Sequence, residues 1–469
     1  MHFRIFSEDT YIQRRHTLKK TIHSGIILFL GNNEAPMNYR DNTYRFRQDS
    51  TFLYYFGLDV AGLAAIIDID SGEDTIFGTE LTIDDVVWTG PLPTIQEMAL
   101  KVGIKTTKDF SEIDPLISRA KNAARSIHFI PPYRYDNMMN LSKWLDIPVI
   151  QLKSLASLPL IKSIVNQRSI KEEQEIVEIQ KAVLTTTEMH RAAMMATKPG
   201  MKEYEIVAAV HSEALKHGGD LSFPIILTVH GETLHNHYHG NTVKSGNMIL
   251  CDAGSETDMH YAGDMTRTFP VDKTFTQKQK EIYNIVLDTH ESCVKLLAPG
   301  IKYRDIYLHA CEQLFDGLKL LGITKGDTNE AVKAGAHAMF FQCGLGHMMG
   351  LDVHDMEDLG EEYVGYTSTI TKSKQFGMKS LRLGKELEAG FVLTVEPGIY
   401  FIPTLIDLWK SENKHSQFIN YSRLEEYRDF GGIRVEEDFV ITQDGYKLLG
   451  GSLPKTIQDI EELRMASLA

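Results

Sequence analysis

"GNMILCDAG", residues 246–254, and "GFVLTVEPG", residues 390–398, follow one plan: a glycine, a buried-strand run, an acid six positions on, then a small residue or proline and another glycine. The two acids, Asp252 and Glu396, are 396 − 252 = 144 positions apart. Upstream, "PGMKEYEIVAAVHSEALKHGG" from Pro199 and "PGIKYRDIYLHACEQLFDGLKLLG" from Pro299 share Pro-Gly-apolar-Lys and, after two residues, an acid followed by Ile, at an offset of 299 − 199 = 100. Each half therefore runs from helix-like segments into strands that end in an acid. Repetition of this kind predicts an internally duplicated α+β domain with a longer second half.

The rest of the chain sets bounds. With 469 residues, 43% of them apolar, it is too long for one ordinary domain and predicts two. A balance of 49 Lys+Arg against 63 Asp+Glu, with no basic run interleaved with aromatics, gives nucleic acid nothing to bind. Cys251, Cys293, Cys311 and Cys343 lack metal-finger spacing and are too few for a disulfide framework, so they read as reduced thiols. The amino terminus has no signal-peptide core, and "GIILFL" is strand length rather than membrane length. A cytoplasmic protein without membrane segments is expected.

Residues 1–165 predict a smaller α/β domain: "YIQRRHTLKKTI" reads as an opening helix, "GIILFLG" and "GLAAIIDID" as buried strands. No glycine-rich phosphate loop or catalytic cluster appears there. Residues 166–469 form the second domain. Its first helix is expected to be capped by Ser169 with Glu172 in a capping box, to carry the stripe Ile176, Ile179 and Val183, and to stop at Lys198-Pro199-Gly200.

In "LCDAGSETDMHYAGDMTRTFP", residues 250–270, a strand, a turn and a returning strand can put Asp252 and Asp264 on one face of a hairpin. Two solvated strand ends are the alternative. If the site is partly buried, one carboxyl has to take a proton unless a cation sits between them. "QCGLGHMMGLDVHD" (342–355) adds His347 and His354, "LTVEPGIY" adds Glu396, and "GGIRVEEDFVIT" (431–442) adds Glu436 and Glu437, of which strand alternation sends one inward. Two Asp, two Glu and one His make an oxygen-rich donor set. It suits two divalent ions, Mn²⁺ first, with Co²⁺, Zn²⁺ or Fe²⁺ as the other choices.

Taken in order, "DAG", "YAGDMTRTFP", "GLGHMMGLDVHD", "TVEPGIY" and "GIRVEEDFVIT" resemble the signature blocks of the pita-bread metallopeptidases, in the branch of aminopeptidase P and prolidase, over about residues 165–450. "YRFRQDSTFLYYFGLD" resembles the amino-terminal domain of the aminopeptidase P type. The resemblance implies a carboxy-terminal pita-bread fold with a pseudo-two-fold repeat. It implies that Asp252 chelates one metal, that Asp264 and Glu436 bridge both, and that His347 and Glu396 complete the second. His235 in "TLHNHYHGN" and His354 would contact substrate and the developing oxyanion, and Arg434 would support Glu436.

Two cations about 3.5–4 Å apart lower the pKa of a shared water from about 15.7 toward about 7, so that a hydroxide is available for attack. Glu396 can carry the proton to the leaving nitrogen, which in an Xaa-Pro bond has no hydrogen of its own. The resemblance implies an enzyme that removes the residue before a penultimate proline, with peptides carrying proline in second position as partners and a homo-oligomer, dimer or tetramer, as the assembly. Prolidase action on dipeptides is the near alternative, and a non-catalytic peptide- or partner-binding protein the distant one. A creatinase-like activity is disfavoured by the carboxylate set. His237 and His239 are left as substrate-side residues, and Trp88 is expected in core packing or surface stacking. Three departures from the family pattern stand out: 12 positions between Asp252 and Asp264, Cys343 where a histidine is usual, and a long stretch between Glu396 and Glu436 that reads as lid, dimer contact or loop.

Overall fold

The computed structural model describes residues 4–469. The chain divides into two compact units, Met1–Arg168 with Met356–Tyr363, and Ser169–Asp355 with Val364–Ala469.

The first unit is built on a five-stranded sheet in the order Thr106–Lys108, Asp74–Phe77, Ala64–Asp68, Ile26–Leu30, Ile127–His128. The three inner strands are antiparallel and the two edges parallel. The runs "IILFL" and "AAIID" are almost wholly buried, as their unbroken apolar character requires. One face packs Leu28, Ile66 and Phe77 against Ile117, Leu141 and Trp144. The predicted opening helix spans Glu8–Lys19 and buries Arg14 and Arg15 along with Tyr11 and Leu18. Arg15 is tolerable there because its guanidinium donates to Tyr55 O at 2.9 Å, Val102 O at 2.6 Å and Asp74 Oδ2 at 3.0 Å. Trp88 lies on the short helix Ile83–Thr89, which buries no residue, and is 87% exposed, so of the two places expected for it core packing is excluded and the surface remains.

In the second unit the repeat is written in backbone hydrogen bonds. Gly200 N donates to Val243 O and Gly300 N to Leu387 O, each at 2.8 Å; Val243 N returns to Met201 O and Leu387 N to Ile301 O, again at 2.8 Å. The offsets are 300 − 200 = 100 on one side and 387 − 243 = 144 on the other, the two values read from the sequence. The Pro-Gly elements thus start equivalent helices, Glu203–Lys216 and Tyr303–Leu320, and anchor them to the segments leading into the acid-bearing strands. Met248–Ala253 is the central strand of one sheet, between Ile226–Thr228 and Met265–Pro270, and Glu437–Ile441 is central in the other, between Val392–Val395 and Tyr446–Leu448. The halves meet where Thr266 pairs with Glu436.

One local expectation changes, and two other segments take definite form. Ser169 ends the preceding helix, Leu158–Ser169, and does not cap the next. Glu172 does, and its N–H donates to Glu175 Oε2 at 3.0 Å, so the capping frame sits three residues later. A carboxylate serves because it meets both the free N–H groups and the positive end of the helix dipole. The hairpin register runs unbroken from Met248 opposite Pro270 to Ala253 opposite Met265; the turn closes through Thr257 N to Tyr261 O at 3.0 Å with His260 at φ 65°. The stretch between Glu396 and Glu436 is no open loop. It forms the helix Pro403–Ser411 and buries Trp409 and Tyr427, with Phe401 stacked on Tyr427 at 5.3 Å.

Candidate active site

Asp252 and Asp264 stand on one face of the hairpin. Asp252 is directly opposite Thr266, and Asp264 precedes Thr266 by two positions, so the pleat turns all three side chains the same way. The isolated bridge from Thr266 to Glu436 brings in the second half, and Thr266 Oγ1 donates to Glu436 Oε2 at 2.6 Å. The segment after Gly346 then lays His347 alongside: its Nε2 lies 3.3 Å from Asp264 Oδ2 and 3.8 Å from Glu396 Oε1. Asp264, His347 and Glu436 each offer one ligand atom within 4.8 Å of the others, and all three are buried.

The five residues read as metal ligands, Asp252, Asp264, His347, Glu396 and Glu436, all line one cavity of about 310 Å³. His235, His354 and Arg434 line it too, so the structure brings these eight residues to one cavity. His237 joins them, whereas His239 is tied to Ile225 O at 3.1 Å. Only Glu436 of the glutamate pair faces the cavity. Glu437, equally buried, turns away to Arg267 at 2.7 Å and Lys455 at 3.1 Å.

The electrostatics are those of a site built for cations. Burial pushes the Asp264 carboxyl well above its ordinary range, and Asp252, Asp438 and Glu396 push it further. Burial does the same to Glu436, with Asp264, Glu396 and Asp252 adding to it. Glu396 is raised by burial as well, with His347 opposing. Asp264 Oδ1 is buried without a hydrogen-bond partner, an oxygen that a divalent ion would satisfy. The His347 Nδ1 lies 3.0 Å from Met348 O; donating there leaves the Nε2 lone pair directed at the carboxylates, the tautomer a metal ligand needs. The donor set therefore fits hard or borderline divalent ions.

Arg434 reaches Glu436 through an intermediary. Its guanidinium does not bond to Glu436 directly: it donates to Asp252 Oδ2, to Thr266 Oγ1 at 2.9 Å and to the Tyr400 hydroxyl at 2.8 Å. Support for Glu436 passes through the Thr266 hydroxyl, which accepts from Arg434 and donates onward. Sequence reasoning missed Thr266 and Tyr400, though both lie inside quoted blocks, because a hydroxyl there has no distinguishing pattern. It also missed Arg382, from "SLRLG", and the apolar wall of Phe223, Pro224, Ile226, Leu234 and Val353. Cys343 is on the wall as well, its Sγ 3.8 Å from the Tyr400 hydroxyl; burial pushes the thiol up to about 12, so it is no nucleophile at neutral pH.

Comparison with known proteins fits this geometry. Residues 177–443 match the model of metallopeptidase family M24, and residues 11–128 that of the aminopeptidase P N-terminal domain. A probable Xaa-Pro aminopeptidase pepP from Metarhizium acridum is 31% identical over 93% of this chain and 84% of its own. The human Xaa-Pro dipeptidase is 30% identical over 94% of this chain and 89% of its own. Among solved structures, Escherichia coli aminopeptidase P with the inhibitor Pro-Leu superposes with a TM-score of 0.81 at 29% identity, covering 99% of this chain and all of that one. A zinc-substituted form with product also gives 0.81, at 27% identity and 99% of both chains.

Proposed function

The chain belongs to metallopeptidase family M24, and from that premise we propose that it is an Xaa-Pro aminopeptidase that uses two divalent cations, Mn²⁺ first among them. The observation that carries this reading is the buried cluster of carboxylates and one imidazole opening into a cavity with an apolar wall. Asp252, Asp264, His347, Glu396 and Glu436 would hold the cations. When bound, these would supply a water acidified toward neutrality for attack and polarisation of the scissile carbonyl.

The chain's own groups do the rest. Arg434 and Thr266 lock Asp252 and Glu436 in place, so that little reorganisation is left for the moment of reaction. Glu396, whose affinity for a proton burial raises, takes the proton of the attacking water and delivers it to the proline nitrogen. His354 and His235 contact the substrate and the oxyanion. Burial lowers the His235 pKa, with Asp252 opposing, so the ring stands neutral at pH 7 and serves as a hydrogen-bond donor. Phe223, Leu234 and Val353 suit the proline ring.

Arg382 favours a second reading. A guanidinium on the cavity wall can pair with the free carboxylate of a dipeptide, as a prolidase requires. Turnover of Xaa-Pro-Xaa and Xaa-Pro by the Mn²⁺-loaded protein separates the two. The aminopeptidase reading expects kcat/KM at least about 10-fold higher on the tripeptide. Preference for the dipeptide makes the protein a prolidase, and binding without hydrolysis makes it a non-catalytic relative.

A homo-oligomer and a cytoplasmic location belong to the same reading. Leu81, Ile83, Val87 and Trp88 are exposed apolar side chains on and beside the helix Ile83–Thr89, and a second copy would cover them. Trp88→Glu is expected to shift the sedimenting species toward the monomer with no loss of Tm; an unchanged sedimentation coefficient rules that face out. No helix among the described residues is long and apolar enough to cross a membrane, and all four cysteines are unpaired, as in a reducing compartment.

A further inference from the structure

Lys171 sits in the link between the helices Leu158–Ser169 and Glu173–Ala196. Its ammonium donates to Asp355 Oδ2 at 2.8 Å, and both side chains are 1% exposed. So deep an ion pair returns little net stability, because desolvating both ions offsets most of their attraction. What the pair does hold is geometry.

The segment His347–Asp355 carries two cavity-lining imidazoles, His347 and His354, whose ring centroids are 4.2 Å apart at 65°. The His347 end is fixed by two sheet-like bonds, Thr394 N to His347 O at 3.1 Å and Met349 N to Val392 O at 3.0 Å, and by His347 N donating to the Thr394 hydroxyl at 3.2 Å. The His354 end has no strand. Asp355 anchors it, its N–H donating to Met348 O at 2.9 Å and its carboxylate taking Lys171. The ion pair fills the space under Gly350, where a Cβ would come within 2.6 Å of Asp355 Oδ2 and 2.8 Å of Lys171 Cε. Lys171 is itself fixed by its N–H on Gly390 O at 2.8 Å, the glycine two residues ahead of the Val392–Val395 strand that leads to Glu396.

We propose that Lys171 and Asp355 are positioning residues: their buried pair fixes His354 against the cavity and ties it to the strand that presents Glu396. The catalytic consequence rests on the peptidase reading; the geometric one does not. Two measurements on the full-length protein separate them. Ring resonances of ¹⁵N-labelled histidine, with His354 assigned through His354→Gln, require no turnover. In Lys171→Met and Asp355→Asn the His354 signal should shift or broaden clearly more than that of His347, whose ring lies 4.2 Å away.

In Mn²⁺-loaded protein the same variants should lose kcat on Xaa-Pro-Xaa by about 10- to 100-fold, with KM and bound metal nearly unchanged. The double variant should lose no more than either single one, and Lys171→Arg should recover most of the rate. An unmoved His354 resonance, or kcat kept within about 2-fold while only Tm falls, overturns the proposal. If the single variants do not fold, the double Lys171→Met/Asp355→Leu, which leaves no unpaired buried charge, is read by the same criteria. If the wild type does not cleave Xaa-Pro bonds, the peptidase reading fails and the resonances alone decide.

Discussion

Glu396→Ala is expected to lower kcat on an Xaa-Pro-Xaa tripeptide by about 10⁴-fold or more, and to leave the metal-free protein as stable as the wild type or more so. The size follows from two roles held by one side chain. A positioned acid-base group is worth about 10²- to 10⁴-fold, and loss of a donor oxygen from the cation site adds to that. The fold should survive because what fixes this position is backbone, Glu396 N donating to Leu345 O at 2.7 Å, which alanine keeps. The carboxylate itself is a burden in the metal-free protein: burial raises its pKa, and Asp252 adds repulsion. Glu396→Gln, which keeps the shape and removes the proton-carrying group, should match the alanine variant within about 10-fold. Activity in either variant within 10-fold of wild type, measured at saturating Mn²⁺, would exclude Glu396 as the proton carrier.

Much of this site was legible in the residues because it is built twice from one plan. The glycine, buried run and acid at 246–254 and 390–398 put Asp252 and Glu396 in equivalent places, and the bridging backbone bonds repeat at the same two offsets. Charged side chains at the ends of apolar runs also announce themselves, since burial there is costly unless compensated. Hydroxyls do not. Thr266 and Tyr400 are common strand residues, and only the register that sets Thr266 opposite Asp252 and beside Glu436 shows the relay from Arg434. Arg382 comes from a stretch with no periodic or motif context, so that long-range packing alone brings it to the cavity. The capping shift from Ser169 to Glu172 has a similar origin: both frames satisfy the helix start locally, and the run "LPLIKSIVNQRS" continues as helix through Ser169.

Removing the cations should make the protein's stability fall as pH rises from about 4 toward neutrality, the reverse of ordinary acid denaturation. Asp264, Glu436 and Glu396 have their pKa values raised in the folded, metal-free chain, chiefly by burial. Above the unfolded carboxyl range of about 4, the folded state therefore binds more protons than the unfolded one, so stability is fully present below that range and is lost as pH climbs through the raised values. Glu437 acts in another window. Burial opposes its ionisation, but Arg267, His290 and Lys455 prevail and bring it down to about 2, so its contribution is lost only as pH falls toward that value. A cation that binds only the folded state reverses the neutral-side loss. At 100 times its Kd each bound cation would add about 2.7 kcal/mol, and at about 1–2 °C per kcal/mol for a unit this large, two cations would give a Tm gain of about 5–10 °C at pH 7. The gain should shrink as pH drops toward 4, because protons and cations compete for the same oxygens. Asp264→Asn tests the origin of the slope: in excess chelator it should flatten the pH dependence and raise Tm at pH 7, and with Mn²⁺ it should lose most of the gain. A chelated wild type whose Tm is level between pH 4 and 7 and indifferent to Mn²⁺ would mean that these carboxylates do not form a cation site.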